Sequence, residues 1–300
     1  MRTIDMSSAS RGARRQRGFS LIELMISIVI GFALIGALLI AYTASVQSGR
    51  NGQAVMQMTE DASAALNLMR AQIAMAGYGR PGKVKLGKFT TSMTAKPYLF
   101  GCDGGTFDQL RVPLDSLACK TSSSTGPDAV AVAYEVQVDA TGAAASAANG
   151  VLGSGVPYDC TGNALPGPPY IADSHFYIAQ PANATNSALY CQQGGSKSDT
   201  TAQPIVENVV DLQVKYLMST PAVRPAQVTS YVDTAMPTPG TSWNNVVAVR
   251  LCVEVVSTTP ITDANANYFY VDCTETRKQS TDGRLHRSFT TTVALQILSL

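Results

Sequence analysis

The sequence predicts an α+β protein in which one long N-terminal helix precedes a domain built on an antiparallel β-sheet. Three observations lead to this fold class. The stretch from Phe19 to Gly49 is almost entirely apolar, the next stretch has helical periodicity, and four later stretches alternate between apolar and polar residues. Apolar residues make up 45% of the 300 residues, which is enough to bury a core.

The first element is an apolar helix that follows an arginine-rich start. Glu23 is the only charged residue between Phe19 and Gly49. At about 1.5 Å per residue, some 27 apolar residues form a helix roughly 40 Å long, which is enough to cross a bilayer. Arginines on the N-terminal side favour a cytoplasmic N-terminus, so the rest of the chain is expected outside the inner membrane.

The helix is predicted to continue through a second, amphipathic part. Apolar residues recur there at steps of three and four, while Glu60 and Arg70 occupy other faces. Gly77 and Gly79 predict its end. We expect the apolar stripe to pack on the sheet of the body; its members are Val55, Met58, Ala62, Ala65, Leu66, Met69, Ile73 and Ala76.

The remainder of the chain predicts β-strands separated by loops. Alternation of apolar and polar residues indicates strands with one face on a core and the other in water. Four such stretches are 130–138, 210–218, 247–255 and 289–297, and shorter strands are expected at 175–179, 188–192 and 268–273. Stretches 139–169 and 219–243 have the Gly, Pro and small-residue content of surface loops.

Six cysteines lie beyond the apolar helix, and their even number in an exported domain predicts three disulfides. Unpaired buried thiols are the alternative. The cysteines form no C-x-x-C pair and His175 and His286 are the only histidines, so a zinc site is poorly supported and no cofactor is expected. Among the fifteen pairings that six cysteines allow, we expect neighbours in the sequence to pair: Cys102–Cys119, Cys160–Cys191 and Cys252–Cys273.

Three interpretations of the N-terminus compete. A secretory signal peptide has an apolar core of about 7–15 residues, which is shorter than this one. An uncleaved membrane anchor leaves Glu23 unexplained. The residues RGFSLIELM at 17–25 resemble the class III leader of type IV prepilins. That resemblance implies that a prepilin peptidase cleaves between Gly18 and Phe19 and that Phe19 becomes the N-methylated first residue.

Glu23 is the candidate assembly residue. An ionisable side chain at the centre of a membrane span costs about 2.5–3.5 kcal/mol, so its presence suggests a function. The free α-amine of Phe19 on a neighbouring subunit would neutralise it and set the axial register of the two subunits. The alternative is a glutamate in the first helical turn that only favours the helix dipole.

The whole chain resembles the PilW-type minor pilins of type IV pili. The resemblance extends from the leader through AGY at 76–78 and VENV at 206–209 to DGRLHRSFTTTVAL at 282–295. It implies the ladle fold of pilins, with 1–18 as the leader and 78–300 as a β-rich head. Residues 19–45 would form the transmembrane helix and filament core, and 46–77 the amphipathic half packed on the head.

The same resemblance implies a subunit without enzymatic activity. It would sit in the inner membrane with its head in the periplasm, and then join other minor pilins and the major pilin in a pilus at the cell surface. Its expected role is in a priming or tip complex that supports twitching motility and adhesion, with a tip adhesin as a further candidate partner. The alternatives are a J-like minor pseudopilin of type II secretion, which tends to be shorter, and, from another class, a membrane-anchored adhesin or secreted enzyme.

Charge argues against general nucleic-acid binding. The first 18 residues carry a net charge of +4, and the rest of the chain carries −3. Nucleic-acid-binding domains are usually strongly basic. The basic stretch from Arg80 to Lys96 is the one weak candidate for such a contact.

Overall fold

The structure is a computed structural model that describes residues 18–78, 98–108, 113–120, 126–136, 158–165, 170–180, 186–194, 202–218, 230–232, 243, 246–260 and 268–295. The chain forms two compact units, Met1–Asn51 and Gly52–Leu300. The basic stretch from Arg80 to Lys96 and the residues after 295 lie outside the described residues.

Helix α1 extends from Leu21 to Ala74, so it begins two residues after and ends three residues before the predicted span of 19–77. No proline interrupts it, so every interior amide can donate within the helix. Gly77 follows with a φ of 75°, the left-handed conformation that glycine adopts without strain and that ends many helices. Its amide donates to the carbonyl oxygen of Ala133 over 2.9 Å, which fixes the end of α1 on a strand. The predicted stop at Gly77 is confirmed.

The second half of α1 buries the predicted apolar stripe. Glu60 and Arg70, on other faces, are exposed. The stripe belongs to the same apolar cluster as residues from both large sheets described below. Its fully buried members within the helix are at most 1% exposed: Met58, Ala62, Ala65, Met69 and Ile73.

Eleven strands follow within the described part of the chain. They are β1 (Leu99–Cys102), β2 (Ala129–Glu135), β3 (Ile171–Ala179), β4 (Ala188–Gln193), β5 (Gln203–Glu207), β6 (Val209–Met218), β7 (Ser230–Val232), β8 (Val246–Val256), β9 (Phe269–Val271), β10 (Arg277–Gln279) and β11 (His286–Ala294). Every pairing between neighbours is antiparallel, as predicted.

The strands divide into two sheets and a hairpin. Strands β1-β2-β3-β4-β5 form one sheet in that order, β11-β8-β6-β7 form a second, and β9 pairs with β10. The sequence predicted one sheet, and this prediction is wrong. The two sheets are joined where Asn208 alone separates β5 from β6. Its φ of 63° is left-handed, so the chain turns from one sheet into the other instead of continuing straight.

One-sided burial was predicted for all four main strands, and it holds for β6 and β11 only. Strand β2 is buried along its whole length, and β8 at every residue except Arg250. Additional segments cover the second face in each case. Next to β2, the amide of Leu114 donates to Asp173 Oδ2 over 2.9 Å, and the Phe107 ring lies 5.3 Å from that of His175. Over β8 lies the β9–β10 hairpin, which is attached by the Cys252–Cys273 disulfide.

The structure links each cysteine to its neighbour in the sequence. The Cα–Cα distances are 5.5 Å for Cys102–Cys119, 6.2 Å for Cys160–Cys191 and 5.6 Å for Cys252–Cys273, all within the range of disulfides. Peptide mapping, considered in the Discussion, would test this pairing chemically.

Two loops that carry cysteines share one sequence pattern and one geometry. They are DCTGN at 159–163 and DCTET at 272–276. In each, one carboxylate oxygen of the aspartate accepts three hydrogen bonds of 2.7–2.9 Å: two from the amide and hydroxyl of the threonine, and one from the amide of the fifth residue. The fourth residue has a positive φ, 83° at Gly162 and 63° at Glu275. The same turn conformation therefore occurs at two places in the chain, and each turn contains a disulfide-bonded cysteine.

Glu275→Gly is expected to stabilise the protein by about 0.5–1 kcal/mol. Only glycine adopts the left-handed conformation without cost, as Gly162 does in the twin loop. Glu275 also lies 3.5 Å from the Arg250 guanidinium, but both side chains are well exposed, so this ion pair contributes little. Chemical unfolding of the full chain in detergent would measure the change. Glu275→Ala is the control, because it removes the ion pair without relieving the backbone, and it should give no gain.

Candidate processing and assembly segment

The segment that precedes α1 is open to a protease. Gly18, Phe19 and Ser20 have no regular secondary structure and are exposed, with Phe19 at 84%. Helix α1 begins immediately afterwards, where the carbonyl oxygen of Ser20 accepts hydrogen bonds from the amides of Glu23 (3.0 Å) and Leu24 (3.2 Å). The peptide bond between Gly18 and Phe19 therefore lies just outside the helix.

Large apolar side chains are exposed around the first half of α1. They run from Leu21 to Val46, and most are more than half exposed. By length and composition this helix could cross a membrane: its most apolar 18 residues have a mean hydropathy of 2.8, and none of them is buried. A helix that is apolar on all sides requires lipid or other helices around it. This surface is therefore suited to a bilayer and to packing with similar helices.

Glu23 places one carboxylate in this apolar surface. It lies in the first turn of α1, where a negative charge is favourable to the helix dipole. The hydroxyl of Ser27 donates to the backbone carbonyl oxygen of Glu23 over 2.7 Å, and not to its carboxylate. The side chain is exposed, so a group from outside the chain can reach it.

A second group of polar residues fastens α1 to the sheets. The side-chain amide of Asn208 donates to Asp61 Oδ2 over 3.4 Å, and the amide of Asn186 donates to Asn208 Oδ1 over 2.5 Å. The guanidinium of Arg284 donates in turn to Asn186. These four residues, which we call the helix clamp, connect the helix to three separate segments of the β domain. Asn208 belongs to the VENV stretch and Arg284 to the DGRLHR stretch, so the structure brings together two of the stretches that carry the family resemblance.

His286 lies beside the helix clamp, between two carboxylates. Its Nδ1 is 2.8 Å from Glu254 Oε1, its Nε2 is 3.2 Å from Asp282 Oδ1, and the Tyr270 ring stacks on it with centroids 4.4 Å apart. Burial opposes the charged form, but hydrogen bonds to the two carboxylates outweigh it and raise the pKa of His286. In the sequence this histidine stands out only as a candidate zinc ligand. In the described residues no group of three or more His, Cys, Asp or Glu side chains could hold a metal ion.

Nothing in the spacing of the clamp residues identified them beforehand. Asp61, Asn186, Asn208 and Arg284 are far apart in the chain, and each is of a type common at protein surfaces. Only the pairing of the strands beside them brings them together. The sequence itself shows only an asparagine at 208 between two stretches that contain β-branched residues, and its burial is visible only in the structure.

Two family models match the chain. The model for type IV pilus-assembly protein W matches residues 175–296, which include the second half of β3, strands β4 to β11, and the residues Asn186, Asn208, Arg284 and His286. The model for the prokaryotic N-terminal methylation motif matches residues 13–39, which include Gly18, Phe19 and Glu23. Among curated proteins none matches the chain. The first matched stretch thus contains three of the four helix-clamp residues, and the second contains the segment around the Gly18–Phe19 bond.

Proposed function

We propose that this chain acts in the complex that starts filament assembly. The premise is that it belongs to the PilW-type minor pilins of type IV pili. The chain is a pilus assembly subunit, and its class is structural rather than enzymatic. The observation that carries the proposal is the coincidence of a methylation motif with an exposed apolar helix that bears one carboxylate.

The proposed sequence of events begins in the inner membrane. The first half of α1, residues 19–45, spans the bilayer with the basic leader 1–18 in the cytoplasm and the head, 78–300, in the periplasm. Prepilin peptidase cleaves after Gly18, and Phe19 is N-methylated. Residues 46–77 keep the head attached to the helix. The apolar helices of several subunits then leave the bilayer together and form the filament core.

In this proposal Glu23 determines the axial register between neighbouring subunits. Inside the apolar core its carboxylate pairs with the α-amine of Phe19 from the next subunit, because an unpaired charge there is costly. The subunit is expected to contact other minor pilins first, at the tip, and then the major pilin. Twitching motility and adhesion, with a tip adhesin as a candidate partner, depend on the filament that results. A J-like minor pseudopilin of type II secretion is the alternative role.

The mature N-terminus tests this proposal. Mass spectrometry of the protein from membranes should show a chain that begins at methylated Phe19, and deletion of the gene should reduce surface pili. A chain that begins near Ser45 would contradict the proposal. Gly18→Leu is the matched variant, since a Cβ added at this position meets no other atom within 4 Å. It should accumulate uncleaved and fail to restore pili.

A further inference from the structure

The β9–β10 hairpin presents an apolar and basic face to solvent. Phe269 and Val271 are 44% and 52% exposed, and among the described residues that follow α1 no other large apolar side chain is exposed. They lie two residues apart on β9 and so point to the same side. Arg277, paired with Val271 across the hairpin, has its guanidinium carbon 4.1 Å from the centroid of the Phe269 ring. We call Phe269, Val271 and Arg277 the hairpin face.

This face is held rigidly on the second sheet. The Cys252–Cys273 disulfide attaches the hairpin to β8, and the Ser288 hydroxyl of β11 donates to the carbonyl oxygen of Val271 over 3.0 Å. On the inner side the Tyr270 ring stacks on His286. A surface that is already ordered loses little conformational entropy when it binds. Aromatic and arginine side chains are also the types enriched at the centres of protein interfaces.

A surface of opposite charge lies on the second half of α1. Met56 is 66% exposed, and Glu60, one turn later on the same side, is exposed as well. Glu207, at the end of β5, is also exposed. It precedes Asn208, whose side-chain amide donates to Asp61, the residue after Glu60, so the two glutamates lie in the same region. We call Met56, Glu60 and Glu207 the helix face.

We propose that the hairpin face of one pilin subunit docks on the helix face of the adjacent subunit. Phe269 and Val271 would contact Met56, whose sulfur packs favourably on aromatic rings. Arg277 would pair with Glu60 and Glu207. The inference rests on the proposed function, which holds copies of this subunit in one membrane before they meet other pilins. Because the two faces differ, the contact is heterologous.

The size of the contact determines when it forms. Three side chains on each side provide far less than the roughly 800 Å² per partner of a stable interface. Separate subunits would therefore not associate through it alone. Subunits whose apolar helices already share a bilayer are at a high effective concentration, so a weak contact is enough to orient their heads.

Photo-crosslinking of the full chain in membrane vesicles tests the inference, with a second copy of the chain as the partner. A photoreactive benzoyl-phenylalanine replaces Phe269, and the expected product is a dimer in which the crosslink maps to the peptide around Met56. Arg277→Glu should reduce the crosslink about tenfold, as should Glu60→Arg with Glu207→Arg, if each reversal costs about 1.4 kcal/mol. Mixing the two reversed chains, with the photoreactive residue in the Arg277→Glu copy, should restore it.

Arg287→Glu is the matched control. Arg287 also lies over an aromatic ring, Phe289 at 5.6 Å, but on β11 outside the hairpin face. The crosslink should not change in this variant. A crosslink that is insensitive to Arg277→Glu, that maps elsewhere, or that the reversed pair does not restore would overturn the inference.

A second photoreactive position separates this failure from failure of the proposed function. Placed at Ile28, in the apolar half of α1, it reports association of the helices themselves. Crosslinks from Ile28 without any from residue 269 would overturn the docking inference and leave the proposed function intact. Absence of both would overturn the docking inference alone, because the proposed function requires contacts with other pilins and is tested by the methylated Phe19 N-terminus.

Discussion

Glu23→Ala is expected to leave cleavage after Gly18 intact and to remove nearly all surface pili. The proposed cleavage site lies before the helix, whereas the carboxylate lies inside it, so the two steps should separate. In the proposed filament, this substitution leaves the α-amine of Phe19 without its partner in an apolar core. If the lost pairing is worth about 2.5–3.5 kcal/mol, assembly should fall by roughly two orders of magnitude. Sheared surface pili and the mass of the membrane-bound chain measure the two steps.

Two further variants decide why Glu23 matters. Glu23→Gln keeps the shape of the side chain and removes its charge, so it should fail like alanine. If the residue only favours the helix dipole, both variants should lose at most about 1 kcal/mol, and pili should persist. Ser27→Ala is the control on the same side of α1, because it removes a hydroxyl that bonds only the helix backbone in the structure. Normal pili in Glu23→Gln would contradict the charge pair.

Replacing Cys252 and Cys273 together by serine is expected to lower the free energy of unfolding by about 3 kcal/mol. On the chain-entropy model this follows from the loop that the disulfide closes, with a sequence separation of 21. Denaturant unfolding of the full chain in detergent measures the loss. The Cys160/Cys191 pair closes a loop of separation 31 through the twin turn, so its removal should have a similar effect.

Peptide mapping without reduction provides the direct check on this prediction. It should recover Cys252 with Cys273 and Cys160 with Cys191 in the wild-type chain. Any other pairing would contradict the geometry described above. A loss below about 1 kcal/mol in the double variant would show that the hairpin holds its position without the disulfide, through Tyr270 and Ser288.

Much of the fold could be predicted because its signals are local. The apolar half of α1 needs only composition, and the amphipathic half needs only the spacing of residues such as Met58, Ala65 and Ile73. The alternating strands β6 and β11 were predicted for the same reason. Strands β1, β7 and β10 were missed because three or four residues are too few to show a period.

The wrong predictions concern which segments cover the second face of a strand. The periodicity of the strand itself contains no information about those segments. In strand β8 apolar residues such as Val253 alternate with polar residues such as Glu254, and this pattern predicts that one face of the strand is exposed to solvent. In the structure Glu254 is 4% exposed because the β9–β10 hairpin covers it, and its carboxylate is hydrogen-bonded to His286. The division into two sheets likewise depends on the φ of Asn208. In the candidate site, Gly18, Phe19 and Glu23 were visible as a contiguous motif, whereas the helix clamp is built from residues up to 223 positions apart, Asp61 and Arg284.

The three disulfides determine how this molecule would respond to tension. Each one closes a loop within the β domain, and none of them includes a residue of α1. A pulling force that enters through the helix therefore acts first on the apolar stripe around Met69 and on the Asp61–Asn208 hydrogen bond. These contacts can separate and re-form, while the covalently closed loops stay intact. A subunit attached in this way would therefore yield at the helix before its β domain opens.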